Sequence, residues 1–384
     1  MTIDALALAQ DLIRCPSITP QDAGALDTLE TPLKSAGFAT WRLPFAEAGY
    51  PDIDNLFARV GTGGPHFCYA GHTDVVPVGD RQAWSFDPFA GIVEDGLLKG
   101  RGACDMKGSV AAFAAAAAGF VDRHGRDFGG SISLLITGDE EAEAVNGTRK
   151  VLAWMAENGH TPDAALVGEP SCPERLGEMM KIGRRGSVTA ELTVEGLQGH
   201  VAYPDRTDNA ANRMVRVLQR LIAQPLDAGT AHFVASNLEV VSVDVGNTAF
   251  NVVPARAVAK IACRYNDLHT GDAIIARIRA AAEAENARYT LKAHKSGDCF
   301  LTEPGPLSDM VQAAVKDVTG MQPELSTTGG TSDARFIKDY CPVVEFGLVN
   351  KTIHKVDEHV AAADVTRLAE IYLGVLERFF DRRA

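Results

Sequence analysis

Residues 134–148 read LLITGDEEAEAVNGT, a short apolar run that breaks at Gly138 into three successive acids, Asp139, Glu140 and Glu141. A run of this length without polar alternation reads as a strand covered on both faces, as in a parallel sheet packed between helices. Open α/β sheets gather their binding sites at the carboxyl ends of their strands. The acids therefore stand where such a sheet does its chemistry, and one segment bears on fold and site together.

The pattern extends in both directions. Upstream, helical periodicity covers residues 3–14 and 26–36, strands are expected at 55–60 and 66–70, and an alanine-rich helix starts at Lys107. Downstream come the strand 132–137, a helix over 148–158 and a short strand at 164–167. This alternation predicts an α/β domain with a mainly parallel central sheet. From about Gly186 the order changes to strand 188–194, helix 209–223, strands 237–245 and 255–265, helix 271–287 and strand 289–294. That βαββαβ order is the ferredoxin-like α+β unit. The α/β style then resumes with a helix at 307–318, a strand at 343–346 and a closing helix from Ala363. The expected organisation is a catalytic domain (1–185 and 296–384) interrupted by an inserted smaller domain (186–295).

With 384 residues, 46% of them hydrophobic, the chain has room for about two packed domains. The formal net charge of −13 excludes the basic footprint that nucleic-acid binding needs. An anionic substrate would have to be held by local arginines. Seven scattered cysteines with no CxxC spacing argue against both a disulfide framework and a cysteine zinc site. No apolar run is long enough to cross a bilayer, and the start, MTIDALALAQDLIRC, has the period of an amphipathic helix and lacks the regions of a signal peptide. A cytoplasmic protein without membrane contact is expected.

Polar clusters follow several of the apolar strands: His72 and Asp74 in YAGHTDVVPVGD, Asp105 in GRGACDMKGS, Glu140 and Glu141, Glu169 in LVGEPS, and His354 in VNKTIHKVDEH. Alone, each has an ordinary reading as a solvated loop residue or a helix cap. Together, two histidines and several carboxylates at strand ends make the ligand set of a hydrolytic divalent-metal site. In the extended His72-Thr73-Asp74 segment, alternate residues face one way, so Asp74 can hold the other ring nitrogen of His72 or neighbouring site groups. Asp105, between Gly102 and Gly108, is placed to stand between two ions. Cys104 reads as a packed small residue, Glu358 and His359 as a solvated face before the last helix, and Asp333 as the residue that orients the turn before it.

The stretches GHTDVVPVGD, GRGACDMKGS, TGDEEAEAVNGT, GEPS, GRRGSV, GHVAYP, NVVPARA and GGTSDARF, in this order, resemble the M20 family of dinuclear zinc amidohydrolases and peptidases. WSFDPF, MMKIGRRGS and TTGGTSDARF narrow the resemblance to the branch that removes a succinyl group from a diamino acid. The resemblance implies a zinc-peptidase-like catalytic domain, an inserted dimerisation or lid domain and two Zn²⁺ ions, with Co²⁺ able to substitute. It makes His72 and Glu169 ligands of one ion, Glu141 and His354 ligands of the other, Asp105 the bridge and Glu140 the general base. Asp74 takes the second catalytic position, and His200 supplies oxyanion stabilisation across a homodimer. It also implies an anionic, N-succinylated diamino acid as substrate. Candidates to hold it are Arg184, Arg185, Arg264, Ser187, Tyr203, Asn251, Asn350 and the Gly330-Thr331-Ser332 turn; a solvated hinge position is the other reading for one of Arg184 and Arg185. An acetylornithine deacetylase, aminoacylase or dipeptidase of the same family would share the metals and Glu140. A phosphoesterase would need a phosphate cradle, which the sequence lacks, and a non-catalytic metal binder would need a lost base or ligand.

Overall fold

The computed structural model describes residues 2–381. They form two compact units, residues 2–182 with 302–326 and 332–381, and Gly183–Leu301 with Thr327–Thr331.

The first unit is built on an eight-stranded sheet in the order Ala39–Arg42, Leu56–Gly61, Ser131–Thr137, His66–His72, Ala164–Val167, Val343–Glu345, Met179–Lys181, Glu324–Ser326. Its centre is parallel: Ser131–Thr137, His66–His72, Ala164–Val167 and Val343–Glu345 pair in that sense one after another. The residues of Ser131–Thr137 and His66–His72 are buried throughout, as expected of strands covered on both faces. The sheet departs from the parallel expectation on both sides of this centre: Met179–Lys181 pairs antiparallel with Val343–Glu345, and Leu56–Gly61 runs antiparallel to both its neighbours. Four residues separate Gly61 from His66, too few for the crossover that two strands of the same direction require.

The alanine-rich helix Lys107–His124 packs between Ala5–Arg14 and Ala362–Asp381. Small side chains let the helices approach closely, and nearly the whole helix is buried. No described helix is long and apolar enough to cross a membrane, and all seven cysteines are free thiols.

The second unit carries a four-stranded antiparallel sheet, ordered Asn237–Asp244, Arg256–Tyr265, Gly186–Glu195, Arg288–Gly297. The helices Ala210–Ile222 and Gly271–Ala284 bury Met214, Val217, Leu221 and Ile278 against Leu192, Val194, Ala259 and Ile261. Alternation along Arg256–Tyr265 gives the sheet its buried face. The helices start on side-chain caps, Asn209 accepting from the Asn212 amide and Thr270 from the Ala273 amide. Strand, helix, strand, strand, helix, strand is the ferredoxin-like order.

Apart from Val343–Glu345, strands of two or three residues were not anticipated, because so short a segment shows no period. One such group, Ile92–Glu94, Leu97–Lys99 and His359–Ala361, forms a small antiparallel sheet that ties the region before Asp105 to the region after His354.

His66, at the start of a central strand, is buried, with Nε2 2.7 Å from Ser133 Oγ and Nδ1 3.3 Å from the Thr161 carbonyl. Burial, aided by the Arg59 charge, depresses its pKa from 6.5 to about 4. A folded-state pKa below the unfolded value means the stability is present above pH 6.5 and is lost as pH falls toward 4. Urea unfolding of the metal-free protein should therefore show a steeper loss of stability across that window for the native chain than for His66→Gln. Parallel pH profiles would contradict this.

Candidate metal centre

Four polar segments begin where adjacent parallel strands end. His72 closes His66–His72, Asp139, Glu140 and Glu141 follow Ser131–Thr137, Glu169 follows Ala164–Val167, and His354 lies in the loop after Val343–Glu345. Asp105 comes from the turn that opens the helix Lys107–His124. The Asp105–Met106 peptide is cis, and His354 has a φ of 59°.

Asp105 is the centre of the arrangement. Its Oδ1 lies 3.2 Å from His72 Nε2 and its Oδ2 3.1 Å from His354 Nε2. His354 Nε2 is also 3.0 Å from Glu141 Oε1, and His72 Nε2 is 3.7 Å from Glu169 Oε1. Donor atoms of His72, Glu140 and Glu169 lie within 4.8 Å of one another, as do those of His72, Asp105 and Glu141. His72, Asp105 and Glu169 are buried, whereas the His354 side chain keeps 46% of its surface exposed.

Asp74 acts on this group twice. Its backbone carbonyl accepts the Nδ1–H of His72 at 2.9 Å, so a neutral ring turns the Nε2 lone pair toward Asp105. Its carboxylate, 3.5 Å from Nδ1, instead accepts the amides of Glu140 at 3.3 Å and Glu141 at 3.1 Å. The third acid, Asp139, accepts the Asn146 amide at 2.9 Å and shapes the turn. A Cβ at Gly147 would collide with the Asp139 carboxylate, so a larger residue there displaces it.

Burial raises the Asp74 carboxyl to about 7. Burial also drives Glu140 well above its ordinary value, reinforced by the charges of Glu169, Asp333 and Glu141. Burial opposes charge on His72, but the Asp105 hydrogen bond and the surrounding carboxylates outweigh it and raise its pKa. Hydrogen bonds to Asp105 and Glu141 take His354 to about 10. Carboxylates thus outnumber the imidazoles and crowd one another. Nitrogen and oxygen donors, an anionic surplus and one carboxylate facing two histidines fit a pair of divalent cations. Cys104 stays outside this set: its buried thiol donates to the Val349 carbonyl at 3.0 Å, and burial pushes its pKa up.

Glu358 overturns its expected place on a solvated face. Its side chain is 0% exposed and pairs at 2.6 Å with Arg101, itself 2% exposed. No pattern in the sequence joins these two, since their segments are far apart in the chain and are brought together by the pairing of Leu97–Lys99 with His359–Ala361.

The substrate-binding candidates divide between the units. In the second unit, Arg184 is buried and donates to the carbonyls of Thr328 and Gly330, drawing the turn that includes Thr331 onto itself. Arg185 reaches Asn237, which pairs with Arg264, which in turn pairs with Ser187. These residues form one row at a sheet end. His200, in the two-residue strand Gly199–His200 opposite Val252–Val253, accepts the Ala202 amide at Nδ1, which leaves Nε2–H as an exposed donor. Tyr203 is 57% exposed, its ring centred 5.7 Å from that of His200. The Asn251 carbonyl accepts the Val201 amide at 3.0 Å. In the first unit, Ser332 is buried and donates to Glu345 at 2.6 Å, and Asn350 donates to the carbonyl of Pro170, next to Glu169, at 3.3 Å.

Residues 68–378 match peptidase family M20/M25/M40. The chain is 59% identical over 380 residues to a succinyl-diaminopimelate desuccinylase of Rhodospirillum centenum, covering 99% of this chain and 98% of that protein. It is 55% identical over 383 residues to one of Methylobacterium nodulans, covering 99% and 97%. Among solved structures, an M20 family metallo-carboxypeptidase of Sulfolobus solfataricus shares the fold with a TM-score of 0.77 at 16% identity, over 98% of this chain and 99% of that one. Aminopeptidase PepT of Bacillus cereus does so with a TM-score of 0.77 at 18% identity, over the same shares.

Because the His354 pKa is about 10, its ring is protonated at pH 7 and must lose that proton before Nε2 can bind a cation. Calorimetric titration of Zn²⁺ into the metal-stripped protein at pH 7 should show proton release, as an enthalpy that varies with the ionisation enthalpy of the buffer. His354→Ala should release fewer protons. A buffer-independent enthalpy in the native chain would contradict this.

Proposed function

The chain belongs to the M20/M25/M40 peptidase family, and on that premise we propose that it is a metal-dependent hydrolase that cleaves N-succinyl-LL-2,6-diaminopimelate to succinate and LL-2,6-diaminopimelate, a step of diaminopimelate and lysine synthesis. The substrate follows from the near full-length likeness to curated desuccinylases. One observation carries the chemistry: Asp105 presents one oxygen to His72 and the other to His354.

In this reading His72 and Glu169 would hold one Zn²⁺, Glu141 and His354 the other, and Asp105 would serve both, with Co²⁺ able to replace zinc. Bound there, the ions polarise the amide carbonyl and acidify water. Glu140 removes the proton from the attacking water and delivers it to the departing amide nitrogen. It sits one residue from Glu141 on a turn whose two amides Asp74 holds, so the base keeps a fixed place beside a ligand.

His200 donates Nε2–H to the developing oxyanion, supported by the tautomer that the Ala202 amide selects. It comes from the partner subunit of a homodimer, through the second unit. Arg185 and Arg264 supply guanidinium groups for the substrate carboxylates, a role suited to their planar forks. Arg184 holds the 328–330 turn from behind.

The direct test is turnover of succinyl-diaminopimelate, N-acetylornithine and a dipeptide by metal-stripped protein as Zn²⁺ is restored. The succinylated substrate should be strongly preferred, with activity rising as metal is added. Glu140→Gln should keep its metal and lose about 10²- to 10⁴-fold in rate. Preference for either rival substrate, or no dependence on metal, removes the reading.

The dimeric arrangement has its own test. His200→Ala should lower kcat about 10²- to 10³-fold with metal content unchanged. Each inactive variant alone has no competent site, but a mixed dimer of His200→Ala with Glu140→Ala rebuilds one from an intact Glu140 and the intact His200 of the other subunit. Recovery of turnover on mixing is the expected result. Its absence, with mixed dimers verified, would place His200 in the same subunit as its Glu140 or outside the mechanism.

A further inference from the structure

The segments that carry Asp105 and His354 are fastened to each other by one buried carboxylate. Leu97–Lys99 pairs with His359–Ala361, and the Gly100 amide extends the contact to the Glu358 carbonyl at 2.9 Å. There the Glu358 side chain turns inward. Its Oε1 accepts three backbone amides, Gly102 at 3.1 Å, Cys104 at 2.8 Å and Asp105 at 3.2 Å. Its Oε2 accepts Arg101 Nη1 at 2.6 Å. Arg101 is braced in turn: Nη1 donates to the Lys355 carbonyl at 3.1 Å, next to His354, Nη2 reaches the Pro77 carbonyl at 3.4 Å, and the guanidinium lies 5.1 Å from the centre of the Trp84 ring.

A buried ion pair gains little net stability, because desolvating two charges offsets most of their attraction. What this pair supplies is geometry. Three amides converging on one oxygen set the turn that ends at Asp105, while Arg101 holds the 355 carbonyl and so the loop of His354. Both segments are thereby referred to the same carboxylate. The hydrogen bonds of the Glu358 carboxylate go to Arg101 and to backbone amides, not to the side-chain donor atoms of His72, Asp105, Glu141, Glu169 or His354.

We propose that Glu358, held by Arg101, is a positioning residue for the metal centre, fixing Asp105 against His354 so that one carboxylate serves both cations. The proposal rests on the metal-hydrolase reading above. It separates Glu358 from an ordinary structural strut, whose loss would lower stability without a specific effect on metal affinity.

The test uses metal-stripped full-length protein titrated with Zn²⁺ and with Co²⁺, whose visible absorption reports ligand geometry. Glu358→Gln keeps the shape and an acceptor oxygen but removes the charge. Because that substitution strands the Arg101 charge in the interior, Arg101→Met with Glu358→Gln serves as the neutral counterpart. Circular dichroism and thermal melts of the metal-free proteins establish folding. A folded variant should bind both ions about 10- to 100-fold more weakly, show an altered Co²⁺ spectrum, and regain turnover as Co²⁺ is raised with KM for substrate near the native value. Native affinity and spectrum in a folded variant, or loss of the fold in both variants, overturns the proposal. A native chain that binds neither ion overturns the metal-hydrolase reading instead, a result distinct from either.

Discussion

A single carboxylate can face two imidazoles only if all three side chains are held from behind, since each would otherwise relax toward the nearest partner. Asp105 meets that condition through contacts that come from three directions. The Asp74 carbonyl turns the His72 ring, the Glu358 carboxylate takes the Asp105 amide, and Arg101 grips the chain beside His354. None of these contacts points at the donor atoms themselves. The central strands all end on one edge, which brings His72, Glu141, Glu169 and the start of the His354 loop within reach of Asp105. The sheet thus sets the coarse spacing, and hydrogen bonds to backbone groups set the fine spacing.

Much of this was readable from the chain because it depends on local pattern. An apolar run followed abruptly by acids marks a strand end, and repeated strand ends in an α/β order imply a shared edge. The second unit was legible for a related reason: alternation along its strands and capped amphipathic helices give a βαββαβ order without knowledge of any distant contact. The reversal at Leu56–Gly61 was hidden, since a buried strand reads alike in either direction and only the four-residue link to His66 betrays it.

What stayed hidden depends on pairs far apart in the chain. Glu358 reads as a surface acid because its neighbours Asp357 and Lys355 are polar, yet it is buried by an arginine 257 positions away. Arg184 and Arg185 are adjacent in sequence and equal in chemistry. The structure gives the first to two carbonyls of the 328–330 turn and sets the second in a row with Asn237, Arg264 and Ser187. No local rule separates them, since the turn that claims Arg184 arrives more than a hundred residues later.

The three consecutive acids show how one local pattern divides into separate tasks. Asp139 points back into the chain, where its two oxygens accept the Thr137 hydroxyl and the Asn146 amide. Glu140 and Glu141 point on, and the amide of each is tied to a different oxygen of Asp74. Two acidic residues whose amides are anchored to one carboxylate cannot drift apart independently. That carboxylate belongs to the residue whose carbonyl also orients His72. Asp74 therefore couples the orientation of the His72 ring on one strand end to the backbone that carries Glu140 and Glu141 on the next, from a place two positions from His72 in an extended segment.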